Sequence, residues 1–358
     1  MFFLEDVPMF SFKFVALGLA LAAGSCGAAP LVDVLDLPAQ RSELAVRSPL
    51  LDLAQAGTRL VAVGQRGHIL YSDDQGKSWT QASVPVSSDL NAVQFPTASE
   101  GWAVGHDGVV LHSRDSGASW QKQLDGRQLG RLMQDYYSAR PDAGQWVEEG
   151  KRIEAEGADK PFLDLWFSDE RNGFVVGAFN LIFRTRDGGQ SWEPWADRTD
   201  NPSAYHLNAI AGDGEHIFIG GEQGLLLRLD DGEERFQALA SPYQGSFFGI
   251  AVQPGLVLAY GLRGHAYRSH DNGASWSPVK TGLNSSITAS ARDAGGSIYL
   301  FGQTGQVLAS RDDGSSFQPL DIGQPVPVYG ALASADSGLL LVGARGFSQR
   351  PLASGKQE

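Results

Sequence analysis

The sequence is poor in cysteine and in charge. Its one cysteine, Cys26, excludes both an intrachain disulfide framework and a thiolate metal cluster. Charged residues make up 19% of the 358 positions, and the net charge is -13. Such an acidic chain argues against a broad electrostatic surface for nucleic acid or anionic lipid. The 44 glycines and the 10% aromatic content instead favour many short strands joined by tight turns.

Long apolar runs are also missing, with one exception near the start of the chain. Residues 14–23 form an apolar run that follows Lys13 and precedes small residues, which is typical of a secretory signal and too short to span a bilayer. We therefore expect residues 1–28 to be a signal peptide and the mature chain to be exported, for example to a periplasm. Cleavage between Cys26 and Ala29 is the favoured processing. A lipid anchor on Cys26 is the alternative, because residues 23–26 resemble a lipoprotein box.

The rest of the chain is a repeat. Seven apolar runs each end in a glycine that precedes a short polar turn, and the intervals between these glycines are 41, 72, 43, 41, 41 and 41 residues. The seven glycines are Gly64, Gly105, Gly177, Gly220, Gly261, Gly302 and Gly343. A period of 40–45 residues with four strand signals is typical of a β-propeller blade. The sequence therefore predicts an all-β, seven-bladed propeller of four-stranded antiparallel blades over residues 29–358.

A second repeated octet, Ser/Thr-x-Asp-x-Gly-x-Ser-Trp/Phe, follows five of these runs. We expect its aspartate to accept backbone N–H bonds, its glycine to adopt a positive φ and its aromatic residue to pack between sheets. The alternative, a calcium loop, lacks the closing glutamate. The octet positions are Asp74, Gly76, Trp79, Asp115, Gly117, Trp120, Asp187, Gly189, Trp192, Asp271, Gly273, Trp276, Asp312, Gly314 and Phe317.

Two segments fall outside the repeat. Residues 31–37 alternate apolar and polar side chains, so we expect them to supply the fourth strand of blade seven and to close the ring. The long interval contains an insertion, residues 126–160, in which Leu129, Met133 and Tyr137 have helical spacing. We expect two short helices there, although Gly150 weakens the second. The alternative is a disordered loop, which the aromatic content disfavours.

The octets resemble the Asp-box, or bacterial neuraminidase, repeat. Seven such blades behind a signal peptide, with runs such as Val61-Ala62-Val63-Gly64, resemble the photosystem II stability/assembly factor family. The resemblance implies a non-enzymatic protein without a cofactor, which binds a membrane-protein precursor through an arginine-rich surface, and a periplasmic or thylakoid-lumen-like location. The insertion departs from the photosynthetic members and puts their specific partner in doubt.

Three arginines are the candidate partner-binding residues. Arg66, Arg263 and Arg345 occupy the same turn in blades one, five and seven, on the face from which the insertion leaves. In an acidic chain they suggest an anionic protein segment as partner, whereas the alternative is solvated surface arginines. We therefore expect a monomeric assembly or scaffold factor for a membrane-associated complex, with no nucleic-acid partner.

The competing function is a carbohydrate-active or ligand-binding propeller of the sialidase type. Its chemistry needs a three-arginine clamp, and the nearest string here is Phe183-Arg184-Thr185-Arg186 in a third strand. Polar residues of the innermost strands provide a second possibility, either as a small-molecule pocket or, as we favour, as channel lining. These are Asp52, Asn91, Asp164 and Asn208. The seven histidines show no metal-ligand spacing, so we expect no metal site.

Overall fold

The computed structural model of the chain describes residues 32–334 and 338–352. Within them, seven antiparallel sheets follow one another along the sequence, and each sheet is one blade. Blades one to six have four strands each, and blade seven has three among the described residues. The predicted seven-bladed propeller is confirmed. The predicted signal peptide, residues 1–28, lies outside the described residues.

The strands are short, as the repeat predicts. Blades one to three comprise β1 (Leu50–Ala56), β2 (Arg59–Gly64), β3 (Ile69–Ser72), β4 (Thr80–Gln81), β5 (Leu90–Gln94), β6 (Gly101–Gly105), β7 (Val110–Ser113), β8 (Gln121–Leu124), β9 (Phe162–Phe167), β10 (Gly173–Gly177), β11 (Ile182–Thr185) and β12 (Glu193–Pro194). Blades four and five comprise β13 (Leu207–Gly212), β14 (His216–Gly221), β15 (Leu226–Asp230), β16 (Gln237–Ala238), β17 (Phe247–Gln253), β18 (Leu256–Gly261), β19 (Ala266–Ser269) and β20 (Ser277–Val279). Blades six and seven comprise β21 (Ile287–Arg292), β22 (Ile298–Gly302), β23 (Val307–Ser310), β24 (Gln318–Pro319), β25 (Gly330–Ser334), β26 (Gly338–Gly343) and β27 (Gly346–Arg350).

The second strand of each blade is largely or completely buried. Every residue of β6, β10 and β18 is buried, because both faces of these strands contact a neighbouring blade. Continuous apolar runs rather than alternating ones are therefore required at these positions. The terminal glycine is equally constrained, since a Cβ on Gly64 would lie 2.3 Å from the carbonyl oxygen of Pro49. The apolar-run-plus-glycine signature is thus the inner core of the ring.

Ring closure differs from the prediction. Residues 33–36 form a turn rather than a strand, and Leu35 is 1% exposed in the core between blades one and two. The prediction that residues 31–37 supply the fourth strand of blade seven was therefore wrong. The strict alternation is a local pattern, and the apolar space beside Val84 and Val86 outcompetes the edge of blade seven for this segment.

A different part of the N-terminal segment joins blade seven to blade one. The 3-10 turn Ala45–Arg47 packs on β27, where a Cβ on Gly346 would lie 1.9 Å from the carbonyl oxygen of Val46. The equivalent contact in blade one is between Gly67 and Val86, since a Cβ on Gly67 would lie 2.1 Å from the carbonyl oxygen of Val86. Residues 45–49 therefore replace the connection between consecutive blades, but they do not form a fourth strand. Phe347 completes the junction by packing on Trp79, with ring centroids 4.8 Å apart.

The insertion forms two helices, α1 (Gly126–Ser138) and α2 (Gly144–Glu156), as predicted. Asp125 caps α1 through a reciprocal capping box with Gln128. The glycines that weakened the prediction have a packing role, because a Cβ on Gly130 would lie 2.5 Å from the carbonyl oxygen of Gly150. Small residues let the two helix backbones approach closely. No helix within the described residues is long and apolar enough to cross a bilayer.

Candidate functional site

The antiparallel blades give the ring two different faces. Turns between second and third strands lie at the same end as the connections between blades, and we call this end the turn face. The carbonyl oxygen of Val86, in the connection after β4, meets Gly67, in the turn after β2. The insertion leaves from the connection after β8, so its base lies on the turn face. The Asp-box turns between third and fourth strands lie on the opposite end, the box face.

The turn face presents one residue per blade at an equivalent position. In blades one to five this residue has a left-handed backbone, with φ between 51° and 59°. Its side chain is exposed in four of these blades and partly exposed in blade two. The residues are Arg66, Asp107, Phe179, Gln223 and Arg263. Three of the five blades therefore carry a residue other than arginine here, and the position is chemically diverse.

Two of the three predicted arginines flank the same segment. Arg345 precedes Gly346, which packs against Val46 and Arg47, while Gln65, beside Arg66, donates its N–H to the carbonyl oxygen of Pro49 at 3.2 Å. Arg66 and Arg345 therefore approach the blade seven–one junction from its two sides. Arg263 lies on blade five, two blades away from blade seven. Sequence reasoning missed Arg47, which is exposed at this junction but lies outside the repeat that guided the search.

The junction arginines belong to those described arginines that form no ion pair. Among the described residues, Arg47, Arg66 and Arg345 have no carboxylate partner within 4.0 Å. Elsewhere, Arg59 pairs with Asp73 and Arg127 pairs with Asp36, both at 2.7 Å. Three exposed and unpaired guanidinium groups on an otherwise acidic chain can bind carboxylates or phosphates.

The base of the insertion holds the N-terminal segment. Arg127 donates two hydrogen bonds to Asp36, at 2.7 and 2.9 Å, and Lys122 donates to the carbonyl oxygen of Leu35 at 2.7 Å. Burial alone would raise the pKa of Asp125, but hydrogen bonds from Arg127 and Lys122 hold it at about 2. This permanently charged cluster fixes residues 33–36 to the start of α1.

The other end of α1 is tied to blade three. Tyr137 donates to Asp197 at 2.9 Å and Arg140 donates to the other oxygen of Asp197 at 2.6 Å. Tyr136 donates to Glu193 at 2.6 Å, and burial raises its pKa to about 12. These bonds fix the insertion to the propeller at both ends, so it is a rigid wall on the turn face.

The box face is built from repeated turn chemistry. Asp74 accepts from the N–H of Ser78 at 2.8 Å, and Gly76 has φ 86°. Trp79 donates its indole N–H to the carbonyl oxygen of Gly76 at 3.1 Å. Hydrogen bonds from Ser78 lower the pKa of Asp74 to about 2. The carboxylates of Asp115, Asp187, Asp271 and Asp312 accept the equivalent N–H bond at 2.8–2.9 Å.

The polar residues of the innermost strands link neighbouring blades across the channel. Asp52 accepts from the N–H of Val93 in blade two at 2.9 Å, and Asn91 donates to the carbonyl oxygen of Phe162 in blade three at 2.8 Å. Asp164 and Asn208 make the same two kinds of bond at the next junctions. The four residues occupy two adjacent positions of the first strand. Asn91 and Asn208 are the unpaired residues of a β-bulge, whereas Asp52 and Asp164 come directly after such a bulge. Each therefore has a partner in the next blade.

The two channel aspartates are partly buried acids of the innermost strands. Burial raises the pKa of Asp52 to about 6, against the hydrogen bonds that Val93 and Leu53 donate to it. Burial likewise raises the pKa of Asp164 to about 7, and the charge of Asp52 adds to this rise. Tyr260 donates to Ser290 at 3.0 Å, which links blade five to blade six at the same level.

The string with a sialidase-like sequence has a packing role. The guanidinium of Arg184 lies 4.7 Å from the ring centroid of Trp195, and that of Arg198 lies 4.0 Å from it. Arg186 pairs instead with Glu234 at 3.0 Å. These arginines surround an indole ring at the outer edge of blade three and do not converge on an open carboxylate-binding site.

Comparison with known proteins now adds to this geometry. The family model described as photosynthesis system II assembly factor YCF48 matches residues 34–131 and 147–297. The chain belongs to this family. The two matched segments are separated by residues 132–146, which cover the end of α1 and the start of α2. The tip of the insertion is therefore the part of this region that the Ycf48 family model does not match.

Curated Ycf48 relatives match over shorter segments. The photosystem II assembly lipoprotein Ycf48 of Synechococcus sp. (strain CC9902) is 28% identical over 155 residues, which is 41% of this chain and 45% of that protein. The photosystem II assembly protein Ycf48 of Thermosynechococcus vestitus is 41% identical over 49 residues, 14% of each chain. The chain thus spans less than half the length of these curated relatives. The relatives are named assembly factors, and several are named lipoproteins.

Solved structures show the same fold. YCF48 bound to D1 peptide superposes with a TM-score of 0.63 at 17% identity, over 86% of this chain and 94% of that one. YCF48 from Cyanidioschyzon merolae superposes with a TM-score of 0.64 at 14% identity, over 87% and 96%. The predicted resemblance to the photosystem II assembly factor family is confirmed.

Proposed function

We propose that this chain is a non-enzymatic, exported assembly factor that holds an anionic segment of a membrane-associated protein on its turn face. The observation that carries the proposal is the blade seven–one junction, where Arg47, Arg66 and Arg345 are exposed and have no carboxylate partner within the described residues. Guanidinium groups bind carboxylates through paired hydrogen bonds, so an acidic polypeptide is the complementary partner.

Family membership supports the same partner class. A relative with the same fold was solved with a D1 peptide bound, and the curated relatives are named photosystem II assembly proteins. Several relatives are named lipoproteins, which supports export. We therefore propose that Cys26 carries a lipid anchor, in place of simple cleavage of the signal peptide. A periplasm or a lumen is the compartment that this processing leads to.

The rest of the molecule supports a scaffold rather than a catalyst. The channel aspartates and asparagines bond neighbouring blades, and the Asp-box carboxylates bond their own turns. These polar groups of the channel and of the boxes are therefore engaged in holding the ring together. The exposed arginines of the blade seven–one junction suit recognition instead.

The double variant Arg66→Glu with Arg345→Glu tests this proposal. We expect the affinity for a fluorescein-labelled D1 peptide, measured by fluorescence polarisation at fixed salt, to fall at least about tenfold, because like charge at an interface costs several kcal/mol. The melting temperature should stay close to that of the parent, since surface substitutions change stability by about 0.5 kcal/mol or less. The peptide is used because a relative binds it.

The matched control is Arg114→Glu with Arg311→Glu. Both residues are exposed, lie beside Asp boxes on the opposite face and have no ion pair within the described residues, so the net charge changes equally. We expect this variant to bind as the parent does. Equal loss in both variants would show that net charge alone decides binding, and parental affinity of the turn-face variant would contradict the arginine surface.

A further inference from the structure

A cavity of about 770 Å³ opens between the insertion and blade three. Met133, Trp146 and Ile153 form its helical wall, Phe179 and Leu181 form the blade wall, and Pro202 lies in the connection that closes it. This volume is within the range of about 300–1,000 Å³ that ligand-binding cavities occupy. The arginine surface at the blade seven–one junction contributes nothing to it, so the cavity is a separate site.

The cavity walls are held in place by completed hydrogen bonds. Asn180 is 4% exposed, donates to the carbonyl oxygen of Ala196 at 3.2 Å and accepts from Thr199 at 3.1 Å and from Asn201 at 3.0 Å. Across the opening, Tyr137 of α1 and Arg140, two residues after the helix, both bind Asp197. Since each wall is fixed independently of any occupant, the cavity is preformed.

The charged groups at the rim already pair with one another. Arg235 binds Asp200 at 2.7 Å, and Arg152 binds both Glu149 and Glu156. These pairs are partly exposed, and a charged occupant would have to compete with them or lose its own hydration without gaining a partner. The complementary occupant is therefore uncharged, and the aromatic and aliphatic side chains of the walls favour an apolar one.

Phe179 gives the cavity an anchor point. Its side chain is 54% exposed although it is a phenylalanine, and its φ of 55° is a strained backbone for a bulky residue. His206 packs against its ring with centroids 4.5 Å apart, and the Lys160 ammonium lies 5.8 Å from the ring centroid. Strained residues with exposed apolar surface are concentrated at binding sites. The other four left-handed positions of the turn face carry polar or charged residues.

We infer that this cavity binds an uncharged apolar segment of a partner polypeptide, with an aromatic side chain stacked on Phe179 and inserted beside Trp146. The inference rests on the proposed function only in taking the occupant to be part of a protein partner. The arginine surface would then set the orientation of that partner, and the cavity would hold a second, apolar part of it. Buried aromatic anchors of this kind provide most of the binding energy at interfaces.

The test uses the whole chain and an uncharged probe, the acetylated and amidated peptide Gly-Leu-Phe-Leu-Gly with a 4-fluoro substituent on its phenylalanine. We expect a saturable change in the fluorine NMR shift with the parent protein. Phe179→Gly should weaken binding at least about tenfold, while the melting temperature stays equal or rises because glycine accepts a positive φ without strain. Gln223→Gly, at the equivalent turn of blade four with φ 51°, is the matched control and should bind as the parent does.

A second pair of variants tests the charge argument. Pro202→Glu places a carboxylate on the cavity wall, and Ser203→Glu places one on the neighbouring exposed residue that does not line it. We expect only the Pro202 variant to lose the peptide. Parental binding by Phe179→Gly, equal losses in the matched variants, or no saturable binding by the parent would each overturn the inference.

Two other occupants give different results. If a second copy of the chain fills the cavity, the parent will self-associate in sedimentation experiments and Phe179→Gly will not. If lipid fills it, neutral phosphatidylcholine vesicles will bind the parent but not the Phe179→Gly variant. Either result overturns the peptide inference. The outcome of the arginine test does not enter these measurements, so failure of the proposed function is distinguishable from failure here.

Discussion

The two acids of the channel predict a specific dependence of stability on pH, which the substitution Asp164→Asn tests. Burial raises the pKa of Asp164 to about 7 from an ordinary value of 3.8. Between these two values the folded chain binds more protons than the unfolded chain, so the free energy of unfolding falls as the pH rises. The stability that Asp164 contributes is fully present below about pH 4. It is lost progressively as the pH rises from about 4 to about 7.

The magnitude follows from the size of the shift. Each pKa unit corresponds to about 1.4 kcal/mol. A shift from 3.8 to about 7 therefore lowers the free energy of unfolding by up to about 4 kcal/mol once the carboxyl of Asp164 is ionised. Water in the channel reduces this loss, and we expect about 1–3 kcal/mol. Asparagine cannot ionise, and its amide nitrogen cannot accept one of the two N–H bonds that Leu165 and Ile210 donate to Asp164. That loss is the same at every pH, so the stability of the variant relative to the parent should rise by about 1–3 kcal/mol between about pH 4 and pH 8.

Urea unfolding followed by tryptophan fluorescence between pH 4.5 and 8.5 measures this difference. Other titrating groups, including His68 and His112, whose pKa values are lowered by burial, contribute equally to parent and variant and cancel. The control Asp115→Asn removes an acid whose pKa is lowered, so it should not flatten the profile in this window. Parallel profiles of the parent and Asp164→Asn would refute the reasoning, because they would mean that Asp164 is as well solvated when folded as when unfolded.

Two further predictions concern stability alone. Asp115→Ala should lower the free energy of unfolding by about 1–2 kcal/mol, because the N–H and hydroxyl of Ser119 lose their acceptor. Neither added calcium nor a chelator should change the melting temperature of the parent. A chelator effect would favour the calcium interpretation of the boxes. Leu35→Ala should cost about 2–4 kcal/mol in urea unfolding, because it leaves a cavity between blades one and two, whereas Leu37→Ala, whose side chain is exposed, should change stability little; equal effects would contradict the burial of Leu35.

Sequence reasoning succeeded where the signal is local and repeated. In six of the seven blades, the glycine that ends the second strand lies against a carbonyl oxygen just before or at the start of the first strand, as Gly64 shows against Pro49. The helices of the insertion were predictable from the spacing of Leu129 and Met133, although Gly150 counted against the second helix. That glycine is required by Gly130 on the facing helix, which no single-helix pattern reveals.

The failures arose where two distant segments compete. The alternation in residues 31–37 is compatible with a strand, and only the cavity beside Val84 and the cluster around Lys122 decide that Leu35 is buried in a turn instead. Arg47 belongs to no repeat, and its proximity to Gly346 depends on how the ring is joined. The cavity beside Phe179 is formed by an inserted pair of helices and a blade edge, so the sequence contained no pattern for it.

The left-handed turn residues have a consequence for how such a surface can change over time. Each of these residues has a fixed backbone conformation and a side chain that is exposed or partly exposed, so replacing one alters the outward chemistry of one blade and leaves the apolar runs beneath it intact. Partner preference and fold are therefore inherited through separate sets of positions. Single substitutions at these turns, such as those that place arginine in blades one and five and phenylalanine in blade three, would change the surface that the ring presents and leave its core unchanged.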